Sequence, residues 1–117
     1  MNRTKFSECL QKYNIFFAIV CNFSNGKNET FGDEKLLSTK GFINDFFGSK
    51  DKIMKLDESL EGQIMPQSCK QGGLNLLLIK PERSILIGLF YMDKMNNRES
   101  KQYKKQINIE VIDSWSQ

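Results

Sequence analysis

Apolar residues in this chain form two continuous runs past its midpoint and spaced, periodic sets toward either end. Leu74, Leu76, Leu77, Leu78 and Ile79 make one run, Ile85, Leu86, Ile87, Leu89, Phe90 and Tyr91 a second, and Lys80-Pro81-Glu82-Arg83-Ser84 separates them. Two short apolar runs joined by a polar, Pro-containing link predict a β-hairpin. Both faces of each strand are apolar, so the hairpin belongs near the middle of a sheet that is covered on both sides.

The remaining segments take their places around that hairpin. Phe6, Cys9, Leu10 and Tyr13 recur at helical spacing and predict an amphipathic helix over residues 2–13. Residues 15–23, rich in β-branched and aromatic types, predict a buried strand. The Asn25-Gly26 pair that follows signals a hairpin turn with positive φ at both central residues, and 28–31 reads as a short polar edge strand. Asp33 can cap a helix through Leu36, Leu37, Ile43, Phe46 and Phe47 to Gly48, although Gly41 lies inside it. A second helical segment is expected from Ser49 or Lys50 to Leu60, with Ile53, Leu56 and Leu60 inward. Residues 63–70 fit an irregular or edge strand, since Pro66 removes a ladder donor. The last helix begins near Asn96 or Asn97 and buries Tyr103, Ile107, Val111 and Trp115, with Ile112 beside them. The order is α-β-β-α-(α)-β-β-β-α, a single α+β domain over residues 1–117 whose mainly antiparallel sheet of about five strands is flanked by helices.

Composition narrows the chemistry. At 117 residues, 39% hydrophobic and 26% charged, the chain has the length and balance of one globular domain. There is no apolar run of membrane-spanning length and no apolar leader core, so a cytoplasmic protein without a membrane anchor is expected. The three cysteines, Cys9, Cys21 and Cys69, have no metal-ligand or redox spacing and read as reduced core thiols. The chain contains no histidine, which removes Ser-His and Cys-His nucleophilic pairs and the usual general base near neutral pH. No cofactor or metal is expected.

Candidate chemistry is correspondingly thin. Gly72-Gly73 leads into a strand, whereas a phosphate-cradling loop leads into a helix, so a turn is expected there. Asp57 and Glu61, with Glu58 alongside, could share a proton or a cation but have the look of a solvated helix face, and Lys80 reads as a solvated turn residue. The doublets Phe16-Phe17 and Phe46-Phe47 read as core. One charge pattern resists a local explanation: Lys94, Arg98, Lys101, Lys104 and Lys105, interrupted only by Glu99, cluster at the start of the last helix, and Glu110 and Asp113 lie at its end. Both groups oppose the helix macrodipole. A solubilising outer face accounts for the cations; a docking surface for an acidic protein is the functional alternative. Nucleic acid is disfavoured, because no base-stacking aromatics are interleaved and the net charge is only +3.

Taken in order, these elements resemble the roadblock fold, the small α/β domain of dynein light chains and of bacterial modules that work with small GTPases, and more distantly the profilin-like layout. The resemblance implies a non-enzymatic domain that dimerises by joining sheets and presents that surface to partners. A second resemblance is to immunity proteins of bacterial toxin systems such as contact-dependent growth inhibition. It rests on the histidine-free, Lys-, Asn-, Ile- and Phe-rich composition and on the tracts 65–72 and 85–90. The sequence thus favours a non-enzymatic binding module, an immunity protein that neutralises a cognate toxin by direct contact. The net charge of +3 would require an acidic toxin surface or a docking site outside a nuclease cleft. Partner contacts are expected at Lys94, Arg98, Lys101, Lys104 and Lys105, with Arg98 and Lys101 foremost. The alternative is a roadblock-type dimeric scaffold or small-GTPase regulator, compatible with a homodimer, and a small histidine-free enzyme is the third class.

Overall fold

A computed structural model describes residues 2–32, 46–61, 67–71, 73–92 and 94–115. The elements are α1 (Arg3–Lys12), β1 (Phe17–Asn22), β2 (Lys27–Gly32), α2 (Lys50–Ser59), β3 (Gln67–Gln71), β4 (Leu74–Glu82), β5 (Ile85–Met92) and α3 (Asn97–Trp115). All strand pairs are antiparallel, and the sheet order is β2-β1-β5-β4-β3. The hydrophobic hairpin therefore supplies the central strand and its neighbour, while the two polar strands, β2 and β3, form the edges. Most of the helix expected over residues 33–48 lies outside the described residues; positions 46 and 47 are helical.

Strand parity assigns each apolar side chain to one of two layers. Ala18, Val20, Leu77, Ile79, Ile85, Ile87, Leu89 and Tyr91 share a face with Phe6, Cys9 and Leu10 of α1 and Ile107 and Val111 of α3. Phe17, Ile19, Cys21, Leu74, Leu76, Leu78, Leu86 and Phe90 turn to the other face, where Phe47, Ile53 and Leu60 cover them. A strand buried on both faces needs both covers, which explains why the runs lack polar alternation. At Gly88 the second cover comes close: a Cβ there would lie 2.7 Å from Phe47 Cζ and 3.2 Å from Ile19 Cγ2. Glycine lets the Phe47 ring settle on the central strand.

The details depart from expectation at three places. The β1–β2 connection is not a two-residue turn with positive φ at both Asn25 and Gly26. It spans Phe23 to Gly26, only Gly26 has positive φ (+69°), and the Gly26 N–H donates to Asn22 O at 2.9 Å. Asn22 and Asn25 instead accept from the backbone N–H groups of Ser24 and Lys27, each at 2.9 Å, so asparagine closes the turn with its side chain. Ile112 is not part of the buried stripe of α3 but 38% exposed; Ser100 and Ser114 take buried positions, and the Ser114 hydroxyl donates to Val111 O at 2.8 Å. β4 also continues through Pro81 to Glu82, accommodated by a register shift between Ile79 and Glu82.

Candidate functional site

The basic cluster sits on α3, whose start is set by Asn96. Asn96 Oδ1 accepts from the Glu99 N–H, and Asn96 Nδ2 donates to Glu99 Oε1, both at 2.9 Å. This reciprocal cap turns Glu99, the one acid among the cations, back toward the helix terminus. Packing of Tyr103, Ile107 and Val111 on the sheet then fixes the helix rotation. Arg98, Lys101 and Lys105 emerge in solvent, with Lys94 exposed just ahead of them. Lys104 is half-buried and leans across the edge of the sheet, where its Nζ donates to Ser68 Oγ of β3 at 3.0 Å. Lys70, two residues along β3 and so on the same face as Ser68, is exposed. The structure thus sets Arg98, Lys101, Lys104 and Lys105 along one flank of α3, leaves Lys94 ahead of the helix, and adds Lys70, which sequence spacing could not connect to them. None of these six cations forms an ion pair among the described residues.

At the other end of α3 the charges are matched. Glu110 and Asp113 do not stand against the helix dipole uncompensated: Lys12 Nζ meets Glu110 Oε1 and Lys5 Nζ meets Asp113 Oδ2, each at 2.6 Å. The expectation that both ends of α3 are electrostatically unexplained is corrected for this end. α1 lies antiparallel beside it, joined also by the Asn2 N–H to Ser114 O at 3.0 Å and by the Tyr103 hydroxyl, which donates to Tyr13 O. Arg3 forks onto Glu29 of β2 at 2.7 and 2.9 Å, so every cation of α1 is engaged. The hydrogen bond from Lys12 holds the Glu110 carboxyl below the usual carboxylate value, and the bond from Arg3 does the same for Glu29.

The other candidates resolve into structure. Asp57 pairs with Lys80 rather than sharing a proton with Glu61. Lys80 is not a solvated turn residue; it is half-buried, donates also to Arg83 O at 3.2 Å and lies 5.7 Å from the centre of the Phe23 ring, holding α2 to the β4–β5 turn. The cleft beside this pair, about 460 Å³, is lined by Asp57, Glu58, Leu60, Glu61, Lys80, Glu82 and Arg83. Burial pushes the thiols of Cys9 and Cys21 up to about 11 and raises that of Cys69, the opposite of what a nucleophile at neutral pH requires. Among the described residues no three His, Cys, Asp or Glu side chains converge as metal ligands, and no helix is long and apolar enough to cross a membrane.

A five-stranded antiparallel sheet in the order β2-β1-β5-β4-β3, with α1 and α3 on one face and α2 on the other, is the roadblock-like α/β fold. The same arrangement is found in Myxococcus xanthus MglB, which is 12% identical with a TM-score of 0.58 over 97% of this chain and 89% of that one. An MglB with tetrameric arrangement is 10% identical, TM-score 0.57, over 95% of this chain and 85% of that one. MglC from Myxococcus xanthus is 13% identical, TM-score 0.52, over 93% of this chain and 98% of that one. At such identities the likeness is one of fold. No protein-family model matches the chain, and no curated protein matches it.

Proposed function

We propose that this chain is a non-catalytic, roadblock-type scaffold that self-associates and binds a small GTPase or a regulator of one. The observation that carries this reading is the coverage of the fold: 97% of the chain follows MglB and 93% follows MglC, with no added catalytic element among the described residues. The step from fold to function is one of analogy, supported by the lack of histidine and by the raised thiols. The partner-facing surface in this reading is the flank of α3 bearing Arg98, Lys101, Lys104 and Lys105, together with Lys94 just ahead of the helix. Toxin immunity, the reading the sequence favoured, rested on composition and two short tracts, and no similarity to an immunity protein supports it.

Light scattering on the purified chain, paired with titration of the small GTPases of the source cell in their GDP- and GTP-analogue-bound forms, tests the proposal. The expected result is an oligomer of the 13.6 kDa chain that discriminates between the two nucleotide states. A stable monomer that ignores every GTPase and binds one toxin domain tightly would restore the immunity reading.

A further inference from the structure

α3 turns one face outward from Arg98 to Ile112. At 3.6 residues per turn, Arg98, Lys101, Gln102, Lys105, Ile109 and Ile112 fall within an arc of about 100°, opposite the buried Ile107 and Val111. Arg98, Lys101, Gln102 and Lys105 are exposed, and the stripe then changes character: Ile109 is 61% exposed and Ile112 38%. Cations therefore occupy its N-terminal half and aliphatic side chains its C-terminal half. The acids of α3 lie outside this arc and are engaged. Glu99 accepts from Asn96 Nδ2, while Glu110 and Asp113 meet Lys12 and Lys5 of α1. The outward face is thus cationic and apolar at once.

We propose that this face of α3 lies on an anionic phospholipid bilayer. Lys94, Arg98, Lys101 and Lys105 meet the charged headgroups, and Ile109 and Ile112 enter the boundary between headgroups and acyl chains. No described helix is long and apolar enough to cross a membrane, and none needs to be: a helix of low net hydrophobicity with a basic stripe and an apolar patch lies in the interface. Charge complementarity and residue type select this occupant. The five cations between positions 94 and 105 form the kind of polybasic cluster that an anionic leaflet attracts. Lys105 precedes Ile109 by one turn, so its stem can lie along the apolar patch while its ammonium reaches a phosphate. Protein interfaces, by contrast, draw their energy from Trp, Tyr and Arg and are depleted in Lys, and single-stranded nucleic acid calls for stacking aromatics. The outward arc of α3 contains no aromatic residue. This goes beyond the scaffold reading and does not rest on it. A bilayer and a GTPase would compete for Arg98, Lys101 and Lys105.

The test is co-sedimentation of the full chain with phosphatidylcholine vesicles containing about 30% phosphatidylserine, at about 0.1 M salt. Partitioning is expected to fall about tenfold or more on pure phosphatidylcholine and to weaken as salt rises. Each cation near the surface contributes about fivefold, so Lys101→Glu with Lys105→Glu should weaken partitioning by about 25-fold or more. Lys50→Glu with Lys55→Glu makes the same charge change on α2, across the sheet, and should cost less than about threefold. Ile109→Ser should weaken partitioning about threefold or more, and Ile109→Phe should strengthen it. Thermal melts of the free variants confirm that each is folded. Equal binding to neutral vesicles, an equal loss from the α2 reversal, or indifference to both Ile109 variants overturns the proposal. So does tighter binding of polyuridylate or polyglutamate than of the vesicles. A change of oligomeric state on Ile109→Ser, read by light scattering, would place a second copy on the stripe and overturn it too. GTPase titration without vesicles separates the two ideas. GTPase binding without vesicle binding sinks the lipid site alone, and vesicle binding without oligomer or GTPase sinks the scaffold reading alone.

Discussion

Glu110 and Asp113 on the last turns of α3 face lysines of α1, whereas Arg98, Lys101 and Lys105, a few turns earlier on the same helix, face solvent. Both sets of charges oppose the helix macrodipole, at a cost of about 0.3–1 kcal/mol for each group close to an end. In the C-terminal half the neighbouring helix offsets that cost with matched cations. In the N-terminal half Glu99, in the first turn, is the one opposing charge among the described residues, and no ion pair engages the cations there. The difference separates two roles that look alike in sequence: charge that sets how two helices lie together, and charge that is left available to a partner. Neither set holds the fold. Burial of Phe6, Leu10, Ile107 and Val111, each worth roughly 1.5–3 kcal/mol, outweighs exposed ion pairs at about 0–1 kcal/mol.

The contrast is broken most directly by comparing one residue from each half. Ile107→Ala, which opens a cavity beneath α3, should lower unfolding stability by about 2–5 kcal/mol in urea titrations. Lys101→Ala should change it by no more than about 0.5 kcal/mol. A loss above about 1 kcal/mol at Lys101 would mean that the basic half is structural after all.

Acid comes next in size. Glu29 and Glu110 have folded-state pKa values depressed chiefly by hydrogen bonds from Arg3 and Lys12. Depressed carboxylates contribute stability that is complete above their ordinary, unfolded value and lost as pH falls through the folded value. Below about pH 5 the wild-type chain should therefore lose stability more steeply than Glu29→Gln/Glu110→Gln. Parallel curves from pH-dependent thermal melts would show that these pairs contribute nothing.

A smaller effect sharpens the assignment of the seam between α1 and α3. Lys12→Glu alone places two carboxylates together and should lower the melting temperature at low salt; adding Glu110→Lys should restore most of the loss. Failure of the swap to rescue would mean that Lys12 acts through its contact with the Tyr13 ring, 5.4 Å from its Nζ, and not through Glu110. The smallest effect belongs to the basic half. Arg98→Gln with Lys101→Gln should stabilise the free chain by a few tenths of a kcal/mol at low ionic strength, because it removes cations from a helix N-terminus, and the gain should vanish in high salt.

The elements themselves were legible to within about three residues where pattern and chemistry agreed. The runs at 74–79 and 85–91 became β4 and β5, the spaced apolar set around Phe6 became α1, and Asn96 began α3. Ile112 was misplaced because helical spacing alone does not say how wide the buried stripe is; the close approach of α3 to α1 and the sheet buries Ser100 and Ser114 and leaves Ile112 out. Lys80 was misread for a related reason. A lysine beside a turn is ordinarily solvated, and only the position of α2 brings Asp57 and the Phe23 ring to it.

By itself, then, the sequence determined the type and order of the elements, the double-sided burial of the central hairpin and the presence of a basic cluster on the last helix. These depend on side chains a few positions apart, whose spacing sets which face is apolar. Tertiary structure alone decided that Lys12 reaches Glu110 and Lys5 reaches Asp113, across 98 and 108 residues of chain, and that Lys104 touches Ser68 at the rim of β3, 36 residues away. Whether a charge is matched or left over depends on which surfaces the packed layers bring together. A cluster of lysines becomes a candidate docking surface only once the fold has shown that the cations of the neighbouring helix are paired.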